Sequence, residues 1–210
     1  MTRRWRQLTV WLHVLSSVGW MAQVMTLCVL LSVGFAAGDL VTRDAATAMA
    51  HALDGRLVGP MADASVFTGI MLAATTPWGF FRNWWVLTKF AISMAQFVVA
   101  IFVLSPALET AVTGGPTSAQ IVGSGLMAGV IAFQGWLSIA KPWGRIGARR
   151  PLPATAPAWV FLATVLGGLA DLALALVIGH PIPLLSLILL IVGLSRRPGW
   201  VGARPVRVAA

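Results

Sequence analysis

Acidic residues are scarce in this chain of 210 residues, which has 6 Asp and Glu against 15 Lys and Arg. All charged residues together make up 10% of the sequence, hydrophobic residues make up 58%, and the mean hydropathy is +0.86. Soluble domains carry roughly 25% charged residues to cover their surface. The composition therefore excludes a water-soluble fold and predicts an all-α, polytopic transmembrane helix bundle.

Cysteine and the common catalytic motifs are also missing. The single Cys28 excludes a disulfide framework and a thiolate metal cluster. The sequence contains no phosphate-binding loop, zinc-protease motif, nucleophile elbow or haem-attachment motif. The sequence therefore favours a protein that is not an enzyme.

Five long apolar runs and a shorter sixth one predict six membrane-spanning helices, since a span needs about 20 apolar residues. The predicted spans cover residues 8–37, 46–75, 84–104, 118–140, 158–178 and 183–197. The last helix would rise roughly 22 Å at 1.5 Å per residue, which is short for a complete crossing. Local thinning of the bilayer and snorkelling arginines can accommodate that length.

The basic residues support the sixth span and orient the protein. In a six-span topology, twelve Lys and Arg side chains face one compartment, and Arg43 faces the other. The twelve are Arg3, Arg4, Arg6, Arg82, Lys141, Arg145, Arg149, Arg150, Arg196, Arg197, Arg204 and Arg207. Basic loops collect on the cytoplasmic side, which predicts a bacterial cytoplasmic-membrane protein with both termini inside. The basic excess is thus explained by topology and does not indicate a nucleic-acid partner.

Proline and charge divide the chain into two predicted blocks. Residues 1–140 form a four-span block, and residues 158–197 form a two-span hairpin. Residues 141–157 form a basic, proline-rich cytoplasmic loop between them, because prolines there favour extended backbone. Residues 198–210 form a basic cytoplasmic tail.

Three motifs within residues 1–150 carry a family resemblance. Residues 11–20 read WLHVLSSVGW, residues 76–89 read TPWGFFRNWWVLTK, and residues 141–144 read KPWG. Together they resemble an uncharacterised family of actinobacterial integral membrane proteins, a domain of unknown function. The resemblance covers residues 1–150 and implies no activity. The two C-terminal spans and the tail depart from that family.

A more remote resemblance rests on two residues. A four-helix unit with His13 in its first helix and Lys89 early in its third is similar to the copper-resistance D-type membrane domain. It is also similar to the haem-binding protoporphyrinogen oxidase of bacteria. This likeness implies haem or copper as a cofactor and His13 and Lys89 as the positions carried over. The further histidines of the oxidase family have no counterpart in this sequence.

Ionisable residues within the predicted spans form the candidate intramembrane site. His13 and Lys89 each lie about five residues into their spans from the same side, so we expect them to share a layer near the cytoplasmic face. They would bind an anionic head group or a propionate, with His13 as a proton carrier or metal ligand. Alternatively, Lys89 snorkels to the interface and His13 hydrogen-bonds a neighbouring helix.

Asp63 and Asp171 complete the candidate site. Both lie deep within predicted spans, where a carboxyl group is protonated, paired with a cation or open to water. They would therefore couple to a proton or cation, or hydrogen-bond as neutral acids between helices. Nearer the outer surface, Asp54 and Arg56 are predicted to form a solvated pair.

Metal-ligating side chains are few. His51 and His180 fall near the predicted outer face, and with His13 they are the candidates for holding copper or a haem iron. Two imidazoles at one face, with no Met, Cys or carboxylate at ligand spacing, define no particular metal. The cofactor is therefore left open.

Three functions remain open from the sequence. The favoured hypothesis is a membrane accessory or scaffold protein that binds anionic lipid through its basic loops. Small residues such as Gly125 and Gly129 would then contact a second copy or another membrane protein. The second is a small transporter using Asp63, Asp171 and Lys89. The third is a haem- or copper-handling redox protein using His13, His51 or His180.

Overall fold

The computed structural model describes residues 2–147 and 156–178, together with Leu185, Ile188, Leu189, Ile191 and Val192. Five long helices lie in this part of the chain: α1 Thr2–Ala36, α2 Leu40–Thr75, α3 Trp84–Gly114, α4 Ser118–Ala140 and α5 Ala158–Ile178. The first four are long and apolar enough to cross a membrane, and the described residues contain no strand. These features confirm an all-helical protein of membrane type. Most of the predicted span 183–197 lies outside the described residues.

Both α2 and α3 contain a π-helical segment just before a proline. Asp54–Val58 precedes Pro60, and Ala100–Leu104 precedes Pro106. A proline inside an α-helix lacks an N–H donor, and its ring clashes with the carbonyl four residues earlier. In the wider π turn the backbone hydrogen bonds reach five residues back, as from Ser105 to the carbonyl of Ala100. This wider turn lets both helices continue past their prolines.

These continuations correct two predicted boundaries. The predicted end of the third span at residue 104 is wrong as a helix end, because α3 continues through Pro106 to Gly114. The second span, predicted from residue 46, lies in a helix that begins at Leu40. Asp39 starts this helix as its N-cap, since its carboxylate accepts a hydrogen bond from the Thr42 amide at 2.8 Å. The predictions for 118–140 and 158–178 coincide with α4 and α5.

Helix α1 occupies the centre of the bundle and packs against α2, α4 and α5. Its buried stripe Trp20, Val24, Leu27 and Leu31 recurs at helical spacing and meets apolar side chains of the neighbouring helices. Helix α5 packs on the last turns of α2, where Phe161 is fully buried in a cluster with Phe67 and Met71. The helices are thus joined by continuous apolar contacts.

Three loop segments converge at one end of the bundle. The Trp84 amide donates to the Gly144 carbonyl at 3.4 Å, and the Ile146 amide donates to the Arg82 carbonyl at 2.9 Å. The Ala156 amide donates to the Thr75 carbonyl at 2.9 Å, which brings the start of α5 to the same place. We call this the basic end. The connections that lead into α2 and α4 lie at the opposite end, the far end, where Gly34 packs against Pro116.

Candidate functional site

The first polar layer lies toward the basic end, where His13 of α1 contacts α2. Its Nδ1 lies 3.0 Å from the Ser65 carbonyl oxygen and 3.0 Å from Thr68 Oγ1. The Thr68 hydroxyl donates to the Ala64 carbonyl at 2.6 Å, so its oxygen accepts from the ring. Because both partners of Nδ1 are acceptors, we assign the proton to Nδ1. The Nε2 atom then carries a lone pair.

Small residues let α1 and α2 approach closely at this layer. A Cβ atom built on Gly69 would lie 3.1 Å from His13 Cε1, which is tighter than ordinary packing. One turn further along α1, the Ser17 and Ser65 hydroxyls are hydrogen-bonded at 2.7 Å. The imidazole is therefore fixed by two hydrogen bonds and by the bare backbone opposite its ring.

Lys89 of α3 belongs to the same layer and is partly buried. Its Nζ donates a hydrogen bond to Ser138 Oγ at 2.6 Å. Ser138 lies in the last turn of α4, where the helix dipole favours a cation. His13 and Lys89 lie within electrostatic range of each other. Among the residues that the structure describes, the one ion pair is Arg43–Asp44, so no carboxylate there neutralises Lys89.

A glutamine pair extends the polar contacts between α3 and α4. Ser93 Oγ donates to Gln134 Oε1 at 2.7 Å, and Gln134 Nε2 donates to Gln96 Oε1. Gln96 Nε2 in turn donates to the Met127 carbonyl at 3.1 Å. The sequence analysis did not predict this chain of hydrogen bonds. One pattern in the sequence could have predicted these contacts: Lys89, Ser93 and Gln96 recur at helical spacing and form a polar stripe on an otherwise apolar helix.

Asp63 and Asp171 face each other across the contact between α2 and α5. Gly168 permits this close contact because it has no side chain. A Cβ atom built on Gly168 would lie 3.4 Å from the ring of Phe67. Asp171 is buried, Asp63 is half-buried, and the two carboxyl groups interact electrostatically. Asp171 Oδ1 also accepts a hydrogen bond from the Leu185 amide at 2.9 Å. This acid therefore binds backbone that follows α5.

The histidines do not gather into one site. His51 is exposed on α2, fourteen residues before Ser65, so it lies about 21 Å along the helix from the His13 contact. His180 lies outside the described residues. Within the described part of the chain, no group of three His, Cys, Asp or Glu side chains is arranged to hold a metal ion.

A second polar layer, missed by the sequence, lies toward the far end. Asp54, in the first π segment, accepts a hydrogen bond on Oδ2 from Ser105 Oγ at 3.0 Å, directly after the second π segment. The predicted ion pair of Asp54 with Arg56 is wrong, since the carboxylate bonds to a neighbouring helix instead. Asp54 also lines a cavity of about 20 Å³ together with Gln120, Ser124 and leucines of α1 and α3.

No family model, curated protein or solved structure matches this chain. The resemblances of residues 1–150, including that of His13 and Lys89 to haem- and copper-handling families, therefore stay predictions. Function has to be inferred from the chemistry of the two polar layers, because a helical-bundle fold hosts many unrelated activities.

Proposed function

We propose that this chain is an accessory protein of the bacterial cytoplasmic membrane that binds an anionic lipid head group at Lys89. The observation that supports the proposal is the contact set of the Lys89 ammonium group, which donates to the Ser138 hydroxyl and meets no carboxylate among the described residues. An unneutralised cation between helices is costly in a bilayer. A phosphate from the adjacent head-group region supplies the missing negative charge.

His13 complements the lysine chemically. Its Nδ1 proton is engaged by α2, so its Nε2 atom is an acceptor near a cation. That pairing suits a head group with both a phosphate and a hydroxyl, such as phosphatidylglycerol: the ammonium binds the phosphate, and the imidazole accepts from the hydroxyl. Arg82, Lys141 and Arg145 at the basic end add about 1 kcal/mol of attraction each toward an anionic surface.

We infer the six-span topology with both termini in the cytoplasm on the same charge argument. The paired loops of the basic end carry Arg82 and Arg145, whereas Arg43 lies near Gly115 at the far end. The positive-inside rule then directs the basic end to the cytoplasm. A reporter fused after Arg207 is expected to be cytoplasmic. An external reporter would contradict the six-span topology.

Lipid retention after purification in a mild detergent tests the proposed binding. We expect wild-type protein to retain phosphatidylglycerol from mixed vesicles with phosphatidylcholine, as measured by extraction and mass spectrometry. Lys89→Met keeps the apolar stem and removes the charge, so retention should fall about fivefold, corresponding to about 1 kcal/mol. Arg43→Met is the matched control, because it removes a cation from the exposed Arg43–Asp44 pair and should leave retention unchanged.

Equal retention by wild type and Lys89→Met would refute lipid binding at this layer. The free lone pair on His13 Nε2 also favours a second candidate, a haem- or copper-handling protein. A visible absorption spectrum and metal analysis of the purified protein separate the two. A Soret band that disappears in His13→Ala would replace the lipid proposal with haem binding.

A third candidate, a small transporter, is favoured by the facing carboxyl groups of Asp63 and Asp171. We give it less weight because Asp171 already accepts a backbone hydrogen bond from Leu185. Proton flux into reconstituted vesicles tests it. Flux that is present in wild type and lost in Asp63→Asn would support transport, and absence of flux in both would dispose of it.

A further inference from the structure

The cavity next to Asp54 lies where all four of the helices α1 to α4 meet. It is lined by Leu27, Asp54, Leu104, Gln120 and Ser124, among others, and its volume of about 20 Å³ matches a single water-sized occupant. Both π-helical segments border it, through Asp54 on α2 and Leu104 on α3. Such segments are frequent at functional sites, because the widened turn disturbs the regular backbone hydrogen bonds.

The polar side chains of this cavity offer oxygen atoms. Asp54 Oδ2 accepts from Ser105, which leaves Oδ1 without a protein donor among the described residues. The Ser124 hydroxyl donates to the Gln120 carbonyl at 2.9 Å, so its own oxygen lone pairs are available. Within the part of the chain that the structure describes, Gln120 Oε1 accepts one hydrogen bond, from the Thr117 amide at 2.7 Å. The lining thus combines one carboxylate with neutral oxygens.

The charge of this donor set distinguishes between cations. Calcium sites use six to eight oxygens with several carboxylates, and magnesium requires octahedral geometry. One carboxylate in a cavity for a single small occupant balances one positive charge instead. We propose that this cavity is a binding site for a monovalent cation of the size of sodium, held by Asp54, Ser124 and Gln120.

The surroundings of Asp54 give the cation an approach from the far end. Gln120 lies in the first turn of α4, so the cavity is within about two turns of the end of that helix. Glu109 is exposed one turn beyond Ser105, and both it and His51 lie within electrostatic range of Asp54. Glu109 attracts a cation toward the mouth of the cavity.

The thermal unfolding midpoint of the detergent-purified full chain tests this proposal. Sodium chloride is titrated at constant ionic strength against choline chloride, whose cation is too large for the cavity. Wild type should gain about 4 °C once sodium exceeds its Kd tenfold. Potassium should require higher concentrations, because a larger ion fits the cavity less well. Equal midpoints in sodium and choline would overturn the proposal and leave the cavity to water.

Asp54→Asn should abolish the sodium-dependent shift, and Asp44→Asn is the matched control that should keep it. Asp44 is an exposed acid on the same helix, paired with Arg43. If Asp54→Asn does not fold, Ser124→Ala replaces it: removing one oxygen ligand should raise the sodium concentration needed by about tenfold. A wild-type response in Asp54→Asn, or in Ser124→Ala when only that variant folds, would refute the assigned ligands.

Discussion

The two polar layers of the bundle hold opposite charges and stabilise them in the same way. Lys89 donates to the Ser138 hydroxyl, and Asp54 accepts from the Ser105 hydroxyl. Lys89 and Ser105 are sixteen residues apart on α3, or about 24 Å along its axis. If Lys89 and Asp54 were adjacent, their charges would neutralise each other. Because they are far apart, each charged group instead hydrogen-bonds to a neutral hydroxyl group. Each layer is therefore suited to a counter-ion from outside the protein.

The backbone at the two layers also differs. His13 and Lys89 lie on regular α-helical turns, and the His13 ring is held by two hydrogen bonds. Asp54 and Ser105 lie in or beside π segments that accommodate prolines. We therefore expect the basic-end layer to tolerate little displacement. The far-end layer should adapt more easily.

The largest change in stability is expected from a substitution in the glutamine pair, Gln96 and Gln134, that lies between the two layers. The same substitution tests whether the two layers are independent of each other. Gln96→Leu leaves the Gln134 amide without its buried partner, which costs about 1–2 kcal/mol of unfolding free energy. Unfolding in a denaturing detergent measures this loss. We expect lipid retention and the sodium response to persist, because neither layer uses Gln96.

The double variant Gln96→Leu with Gln134→Leu is the control for this experiment. Removing both amides leaves neither glutamine position facing an unpaired amide, although Ser93 loses its acceptor, so the cost should be smaller than the sum of the two single costs. If Gln96→Leu abolished the sodium response, the two layers would be coupled and not independent.

A glycine in each layer, Gly69 or Gly123, allows the rigidity of the two layers to be compared. A Cβ on Gly69 would meet His13 Cε1 at 3.1 Å, and a Cβ on Gly123 would meet Leu104 Cδ2 at 2.9 Å. The histidine ring is fixed, whereas the leucine methyl swings aside easily. Gly69→Ala also gains about 1 kcal/mol of helix propensity, but crowding of the fixed ring costs about 2 kcal/mol, so the bundle should be destabilised by about 1 kcal/mol. Gly123→Ala should be close to neutral, because about 1 kcal/mol of helix propensity offsets its crowding.

Paired unfolding curves of the two variants check this prediction. Lipid retention should also fall in Gly69→Ala, since the ring of His13 moves, and should be unchanged in Gly123→Ala. A larger loss of stability in Gly123→Ala than in Gly69→Ala would show that the far-end layer is the more rigid one.

The smallest change in stability is expected from Asp39. Like Asp54, this acid lies toward the far end, but its side chain is exposed. The Thr42 amide holds the pKa of the Asp39 carboxyl below its usual range, through a 2.8 Å hydrogen bond at the start of α2. In the unfolded chain the carboxyl group has a pKa of about 3.9. This stabilisation is thus present above that pH and is lost as pH falls through the lower, folded value.

Thermal unfolding at pH 5 and at pH 3 measures the contribution of Asp39. Wild type should lose a small part of its stability at pH 3. Asp39→Asn keeps a capping oxygen without a titrating group, so its loss between these pH values should be smaller. An identical pH dependence in the two proteins would show that the cap does not contribute through its charge.

Much of the fold followed from hydropathy and length. The apolar runs predicted α4 and α5 at their observed bounds, because a change from apolar to polar residues coincides there with caps such as Thr117. The end of α3 could not be predicted in that way. Pro106 normally stops a helix, and only the π segment before it permits continuation.

The candidate site was predictable in part. His13 and Lys89 lie at the same depth in their predicted spans, which suggested that they share a layer. In the structure they lie within electrostatic range of each other. The Asp54 layer was not predicted, since the nearest basic residue in sequence, Arg56, suggested an ion pair. Asp54 pairs instead with Ser105, fifty-one residues later, and no local pattern reports a contact between two helices.

Composition and runs of apolar residues are sufficient to predict a helical membrane protein and to identify the residues that are costly to bury. How the protein compensates for burying those residues depends on its tertiary structure. Helix packing selects which hydroxyl faces Lys89, which faces Asp54, and where the cavity remains. Those contacts depend on the relative positions of helices that are distant in sequence. Hydropathy cannot predict them, because it depends on each segment alone.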